Sequence, residues 1–390
     1  MRREELLAQL AQDHPDASED RSVGLSSHVI RVPSRRLAAV GCDADEGSQI
    51  NGLLDAIHWA RWSLGSAEGV VYSFLSGEHP DTVLDPLSTL FSVLPPNLGV
   101  QLQQDFLSVE PVLPQLDADS LRRLDQLRRR EQTGLPALHD SIRRQVTDPC
   151  FQWVRTLTGR DWTGRVDGLR VCRLDNRGVG AIEIGAAPTD EDLRPEQEWF
   201  RSIAGADSFQ ITPDNTAHSV RILQALAEGR RRGLWAQRQL EHLLEARVLR
   251  GAVPIMIEGE AVQPMDWGWQ FPARWAEMGA VRYIDVLGRI GAVPWVVELK
   301  VREGGGAGQY FRHAVGQAVL YREFIRRAVG LHPWFEGHGL DPRKCEAVVV
   351  MPCSESNEAD RQLLNQVRYL ADLFSVRVVV LDESWRSPDL

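Results

Sequence analysis

VRYIDVLGRIGAVPWVVELKVREGGGAGQYFRHAVGQAVLY, residues 281–321, is the stretch on which the fold turns. Two runs rich in β-branched and aromatic residues, Val281–Leu287 and Trp295–Val301, flank a glycine-containing turn, the pattern of a β-hairpin. Side chains alternate along a strand, so Glu298 and Lys300 are expected on one face, with Val297, Leu299 and Val301 on the other, towards a core. Asp285 interrupts the partner strand in the same way. Three charges in apolar strands require a reason, because a lone buried charge costs on the order of several kcal/mol unless it is paired or bound to a metal. The competing explanation is an exposed hairpin carrying a solvated ion pair.

Metal-assisted hydrolysis of a phosphodiester is the chemistry that suits these groups. Oxygen ligands from Asp285 and Glu298 match one or two Mg²⁺ (or Mn²⁺) ions, with water and phosphate completing the shell. Lys300 beside the attacking water would orient it and stabilise the pentavalent phosphorane. Composition sharpens the point: of 44 Lys plus Arg residues, only Lys300 and Lys344 are lysine. Arginine is a planar fork that does not deprotonate, whereas lysine is a compact point charge with a movable pKa. The exception falls where that difference matters.

An Asp on one strand and Glu-x-Lys on the next resembles the active site of the PD-(D/E)xK nuclease superfamily. Gln317-x-x-x-Tyr321 in the following segment resembles the Q-x-x-x-Y element of its RecB-like branch. The resemblance covers about residues 234 to 382 and is closest in pattern to the C-terminal domain of NucS-type endonucleases. There an opening helix carries a glutamate that supports the metal site. Lining up the apolar positions puts Gln237 at that place, and Glu241, one turn on and on the same face, is the acid that would substitute. The implied catalytic set is Asp285, Glu298, Lys300, Gln317, Tyr321 and Glu241, with Asp285 and Glu298 as metal ligands. Tyr321 also reads as a core residue on a helix facing a sheet, and His313 as a polar surface residue.

Local patterns around the hairpin agree with that fold without using the charged residues. Leu234–Arg250 reads as a helix with Leu240, Leu243, Leu244 and Val248 on one stripe, and Val253–Ile257 as a strand. A loop rich in Trp and Pro, Val262–Glu277, precedes the hairpin. Helix Gln309–Arg327, strand Ala347–Met351, helix Asn357–Phe374 and strand Val376–Leu381 follow. The order α-β-β-β-α-β-α-β contains the αβββαβ core that the resemblance implies. Gly304 to Gly308 lacks the Gly-Lys-Ser/Thr ending of a nucleotide loop and reads as a mobile loop at the mouth of the site.

The expected class is therefore α/β: a restriction-endonuclease-like domain with a mixed central sheet at 230–390, and an α+β domain of unrecognised fold at 1–229 that recognises substrate or partner. The cut between them is placed at Glu228–Gly233. In the N-terminal part, helices are expected at Ser48–Leu64, Pro86–Leu94, Ser120–Arg130, Pro136–Val146 and His218–Gly229, with a strand at Val70–Leu75. From Gly164 a second hairpin echoes the first, with Asp167 or Asp175 before Glu183. Gly185 stands in the lysine's place, so it reads as a plain hairpin.

Composition excludes several classes. A charged start without a signal-peptide core, and no run near the ~18 apolar residues of a membrane span, point to the cytoplasm and away from a membrane. Five scattered cysteines point to reduced thiols without structural zinc. A net charge of −10 argues against a protein coated in nucleic acid, while arginine clusters (122 to 130, 143 and 144, 230 to 232, and 322 to 327) read as solvated helix faces or local binding surfaces. The expected function is a metal-dependent endonuclease on DNA, RNA not excluded, in repair or defence against foreign DNA; a homodimer is compatible with it. The alternative is an inactive nuclease-fold protein serving as a nucleic-acid-binding or interaction module.

Overall fold

A computed structural model describes residues 18–20, 27–31, 36–41, 46–64, 69–74, 81–104, 107–110, 112–114, 137–156, 161–175, 179–184, 193–235, 239–275, 282–301, 307–354 and 356–387, with a few isolated positions besides. They form a mixed α/β structure with several sheets. The chain divides into two compact units: Met1–Ser120 with Pro272–Ile284 and Ile290–Val380, and Leu121–Phe271 with Asp285–Arg289 and Leu381–Leu390.

In the first unit, six strands lie side by side in chain order: β1 (Ser18–Asp20), β2 (Ser27–Arg31), β3 (Arg36–Gly41), β4 (Gly69–Phe74), β5 (Val100–Gln104) and β6 (Leu107–Ser108). The β3–β4 and β4–β5 pairs are parallel and the others antiparallel. Parallel neighbours need a crossover. Helices Glu46–Leu64 and Asp81–Val93 supply the two, the second running straight through Pro86, where the sequence placed its start. Helix Ala307–Arg327 packs against both. Its Gly316 permits the approach, since a Cβ there would stand 2.5 Å from Leu54 Cδ1. Asp55, 1% exposed, is bridged by Arg312 at 3.1 Å, and Arg312 also donates to Gln366 Oε1 at 2.9 Å. The helix Glu358–Leu373 buries Leu363, Leu364, Val367, Leu370 and Ala371, the stripe its spacing predicts, and Asn357 caps it by accepting from Ala359 N at 2.9 Å.

The second unit contains an antiparallel sheet of β7 (Phe151–Arg155), β8 (Trp162–Val166), β9 (Leu169–Leu174), β10 (Gly180–Glu183) and β11 (Ser208–Ile211), in the order β11-β10-β9-β8-β7. Asp167-Gly168 divides the run from Arg165 to Leu174 into two strands: Val166 pairs with Leu169 across the two residues, whose φ values are 45° and 85°. Positive φ at both central positions is what a right-twisted hairpin demands, and Asp-Gly supplies it. Helices Pro195–Ala204 and Thr216–Arg231 cover the sheet, around Phe200, Leu223 and Leu226. Short strands β12 (Met256–Ile257) and β13 (Glu260–Ala261) stand in place of the strand expected at Val253–Ile257.

The third larger sheet runs β14 (Gln263–Ala273), β15 (Arg282–Ile290), β16 (Val293–Leu299), β17 (Glu346–Pro352) and β18 (Arg377–Leu381) in that order, with β16 and β17 parallel. The segment Val262–Glu277, expected to be a loop, is largely the eleven-residue β14. Its prolines, Pro264 and Pro272, lie near the strand ends, where a missing N–H is tolerated. Its Gly268 is no breaker either, because a Cβ there would sit 2.2 Å from Leu287 O, so the residue permits close backbone approach. The expected Ser120–Arg130 helix and the glycine run at 304–306 lie largely outside the described residues.

Candidate active site

Strand β16 is buried on both faces, from Pro294 through Leu299, and so are Lys300 and Val301 beyond it. The expectation of one core face and one open face is corrected accordingly: a strand paired in parallel with β17 is covered on both sides. Glu298 is 1% and Lys300 5% exposed, and Lys300 Nζ lies 2.9 Å from Glu298 Oε1. The solvated surface pair is thus excluded. A buried ion pair is weak as a stabiliser, since apolar residues of similar size often serve as well or better. Its presence among Val296, Val297 and Leu299 favours a chemical reason over a structural one. The Lys300 backbone is fixed by its N–H donating to Val350 O at 3.0 Å.

Asp285 lies within β15 and is half-buried. In its own unit it faces Glu245, on helix Leu240–Leu249, whose carboxyl is pushed up to about 8, first by burial and then by the Asp285 charge. Gln270 Nε2 donates to Glu245 Oε1 at 2.7 Å, the Trp269 side chain adds a hydrogen bond, and the Arg165 charge opposes the rise. Arg165 in turn lies 4.4 Å over the Trp269 ring. Gln270 holds this contact from a φ of 45°, a conformation that costs a non-glycine residue about 1–3 kcal/mol and recurs at functional sites.

Sequence reasoning missed Glu245. It looked for an acid at Gln237, which lies outside the described residues, and at Glu241, which is half-buried in the first turn. Glu245 is one turn beyond Glu241. The apolar-stripe argument assumed a helix with a wet face, but Leu243 to Val248 are buried without interruption. The available signal was two charges, Glu245 and Arg247, inside the run Leu243-Leu244-Glu245-Ala246-Arg247-Val248. Arg247 is accounted for structurally: it lies 3.6 Å from Asp167 and donates to the Trp385 carbonyl. Arg250 at 2.7 Å and Arg230 at 3.1 Å hold the same aspartate, which ties helix Leu240–Leu249 to the β8–β9 turn.

The QxxxY pair separates into two roles. Tyr321, 2% exposed, stacks on Trp275 with ring centroids 5.8 Å apart, a packing position. Gln317 lines a cavity of about 110 Å³ with Asn51, Arg282 and His313. His313, expected at the surface, is largely covered, with Nε2 3.4 Å from Asp55 Oδ2. The arginine clusters are also largely spent internally: Arg322, Arg326 and Arg327 all pair with Glu323, Arg231 with Asp148, Arg232 with Glu228, and Arg144 with Asp140.

Among the described residues, no group of three or more His, Cys, Asp or Glu side chains is gathered as a cation cage. Mg²⁺ does not require one, being held usually by one or two carboxylates together with substrate phosphate and water. The donor chemistry fits that mode, because the Asp285 charge adds to the cost of ionising Glu245 and a cation relieves it. Cys150, Cys172, Cys345 and Cys353 are buried free thiols, with burial pushing Cys172 up to about 12. Among the described residues, no helix is long and apolar enough to cross a membrane. Comparison with protein-family models, curated proteins and solved structures finds no match.

Proposed function

We propose that this protein is a Mg²⁺- or Mn²⁺-dependent endonuclease acting on DNA, with Asp285 and Glu298 as the metal ligands and Lys300 at the nucleophile. The observation that carries the reading is the buried Glu298–Lys300 pair at 2.9 Å, set in an otherwise apolar strand. Support comes also from the element order: once the short strands β12 and β13 and the short helix His332–Gly337 are set aside, helix Leu240–Leu249 is followed by β14, β15, β16, helix Ala307–Arg327 and β17. A bound divalent ion would polarise the scissile phosphate and lower the pKa of a water molecule.

The chain's own residues do the rest. Lys300, held by Glu298 and a fixed backbone, orients the water and neutralises charge that develops on phosphate oxygens. Gln270 and Trp269 set the Glu245 carboxylate in place, and Arg165 moderates its proton affinity. Tyr321 acts through packing rather than at the scissile bond.

Incubation of the full chain with linear duplex, branched and single-stranded DNA in Mg²⁺, Mn²⁺ or EDTA tests the reading, with Glu298→Ala alongside. Metal-dependent cleavage that Glu298→Ala lowers by at least ~10³-fold, as expected for loss of a principal electrostatic group, supports it. DNA binding without cleavage under any metal would move the protein to the binding-module alternative.

A further inference from the structure

Arg165 lies on β8 between Gly164 and Val166, both buried, so its side chain leaves the sheet on the opposite face. Its cross-strand neighbour Gln152 donates to Ala246 O at 3.0 Å, which sets that face against helix Leu240–Leu249. The guanidinium is fixed at two points. Nη1 donates to Gly168 O at 3.0 Å, and Cζ stands 4.4 Å over the ring of Trp269, whose side chain also bonds to Glu245. Three other arginines nearby are spent on one acid: Arg230, Arg247 and Arg250 reach Asp167, two residues along from Arg165, at 3.1, 3.6 and 2.7 Å. The Nε of Arg165 is buried and makes no hydrogen bond among the described residues.

Charges of both signs act on Arg165: Glu245 attracts it, Arg170 repels it, and burial lowers its pKa without removing its proton, since a guanidinium stays charged in a protein. Arg170 is itself answered by Glu183 at 3.9 Å. The Nε–H and Nη2–H bonds of a guanidinium run parallel, and that edge meets two oxygens of a phosphate side by side. With Nη1 on the Gly168 carbonyl and one face on Trp269, this edge is what Arg165 offers a ligand, and a buried donor such as Nε calls for an acceptor. We propose that Arg165 is a substrate contact, holding two oxygens of a phosphodiester in the nucleic-acid strand that lies beside Glu245 and Asp285. The proposal rests on the nuclease reading for the identity of the substrate, and it gives the β7–β11 sheet a part in binding. The two acids favour the contact once they face a divalent ion, because the ion draws the same phosphate. Trp269 and Gln270 are consecutive on β14 and both hold Glu245, so a phosphate fixed on Arg165 is registered against that carboxylate through one rigid element.

The test is binding of a short fluorescent single-stranded oligonucleotide to the full chain across a salt series, in EDTA and, with hydrolysis-resistant phosphorothioate linkages, in Mn²⁺. Arg165→Gln should weaken binding about tenfold and reduce the slope of log K against log salt by about 0.7, the share of one single-strand phosphate contact. Arg165→Lys keeps the charge and loses the fork, so it should keep the slope and weaken binding several-fold. On a strand with uncharged methylphosphonate linkages both variants should match the wild type. Wild-type affinity and slope in both variants would overturn the contact. So would a loss of equal size on charged and uncharged strands, the outcome for an Arg165 that only supports Trp269. Thermal melts check folding, and should Arg165→Gln fail to fold, Arg165→Lys decides by the same comparison of strands. Cleavage by the wild type with unaltered binding in the variants leaves the nuclease and removes the contact. The expected losses in a chain that cuts no DNA under any metal keep Arg165 as a phosphate contact and remove the nuclease.

Discussion

Replacing Glu245 with Gln separates the electrostatics of the carboxylate pair from catalysis. The carboxyl stands at about 8 in the folded protein against an ordinary 4.5, and is 4% exposed. Between those two values the folded state holds a proton that the unfolded chain has released. Stability conferred by the neutral carboxyl is fully present below pH ~4.5 and declines as pH rises towards ~8, at up to about 1.4 kcal/mol per pH unit. The total is on the order of several kcal/mol. Gln keeps the shape and stays neutral, so metal-free Glu245→Gln should melt near the wild type at pH 5 and clearly above it at pH 8. Cation binding must displace the same proton. With a pKa of about 8, roughly one carboxyl in ten is ionised at pH 7, so proton competition should weaken Mn²⁺ binding about tenfold at pH 7 and a hundredfold at pH 6. Thermal melts of both proteins with and without Mn²⁺ from pH 5 to 8.5 measure this. Parallel wild-type and variant profiles, or an equal Mn²⁺-induced rise in both, would refute the reasoning.

Three further outcomes follow from the geometry. Lys300→Ala leaves Glu298 buried without its 2.9 Å partner and should cost about 3–5 kcal/mol in chemical denaturation, while Lys300→Arg should not restore cleavage. Asp55→Asn strips Arg312 and His313 of their shared acid and should destabilise the first unit by a similar ~3–5 kcal/mol, read by urea unfolding. Gly316→Ala places a methyl 2.5 Å from Leu54 Cδ1 and should cost about 1–3 kcal/mol, partly recovered in the double variant with Leu54→Ala, as a melting-temperature cycle would report.

Much of the secondary structure was legible because its physics is local. Alternation at Ile284, Val286 and Leu299 and the stripe from Leu363 to Leu370 are short-range signals, and the corresponding elements form within a few residues of their expected bounds. Errors arose where a residue's role depends on a distant partner. Gly268 looked like a loop residue, yet it admits the Leu287 carbonyl. Glu245 was hidden by an assumption about solvent, since helix Leu240–Leu249 has no long wet face. His313 was misread because its partner, Asp55, lies 258 residues earlier in the chain.

Arginine does nearly all the internal ion pairing, and this gives the molecule an unusual chemical address. An amine-directed reagent meets just two side chains, Lys344, whose side chain is 71% exposed, and Lys300, 6% exposed. Acylation of side chains should therefore proceed in two well-separated phases, the slow one reporting access to the interior at a single atom. A protein of 390 residues thus carries its own reporter, with no engineered label needed.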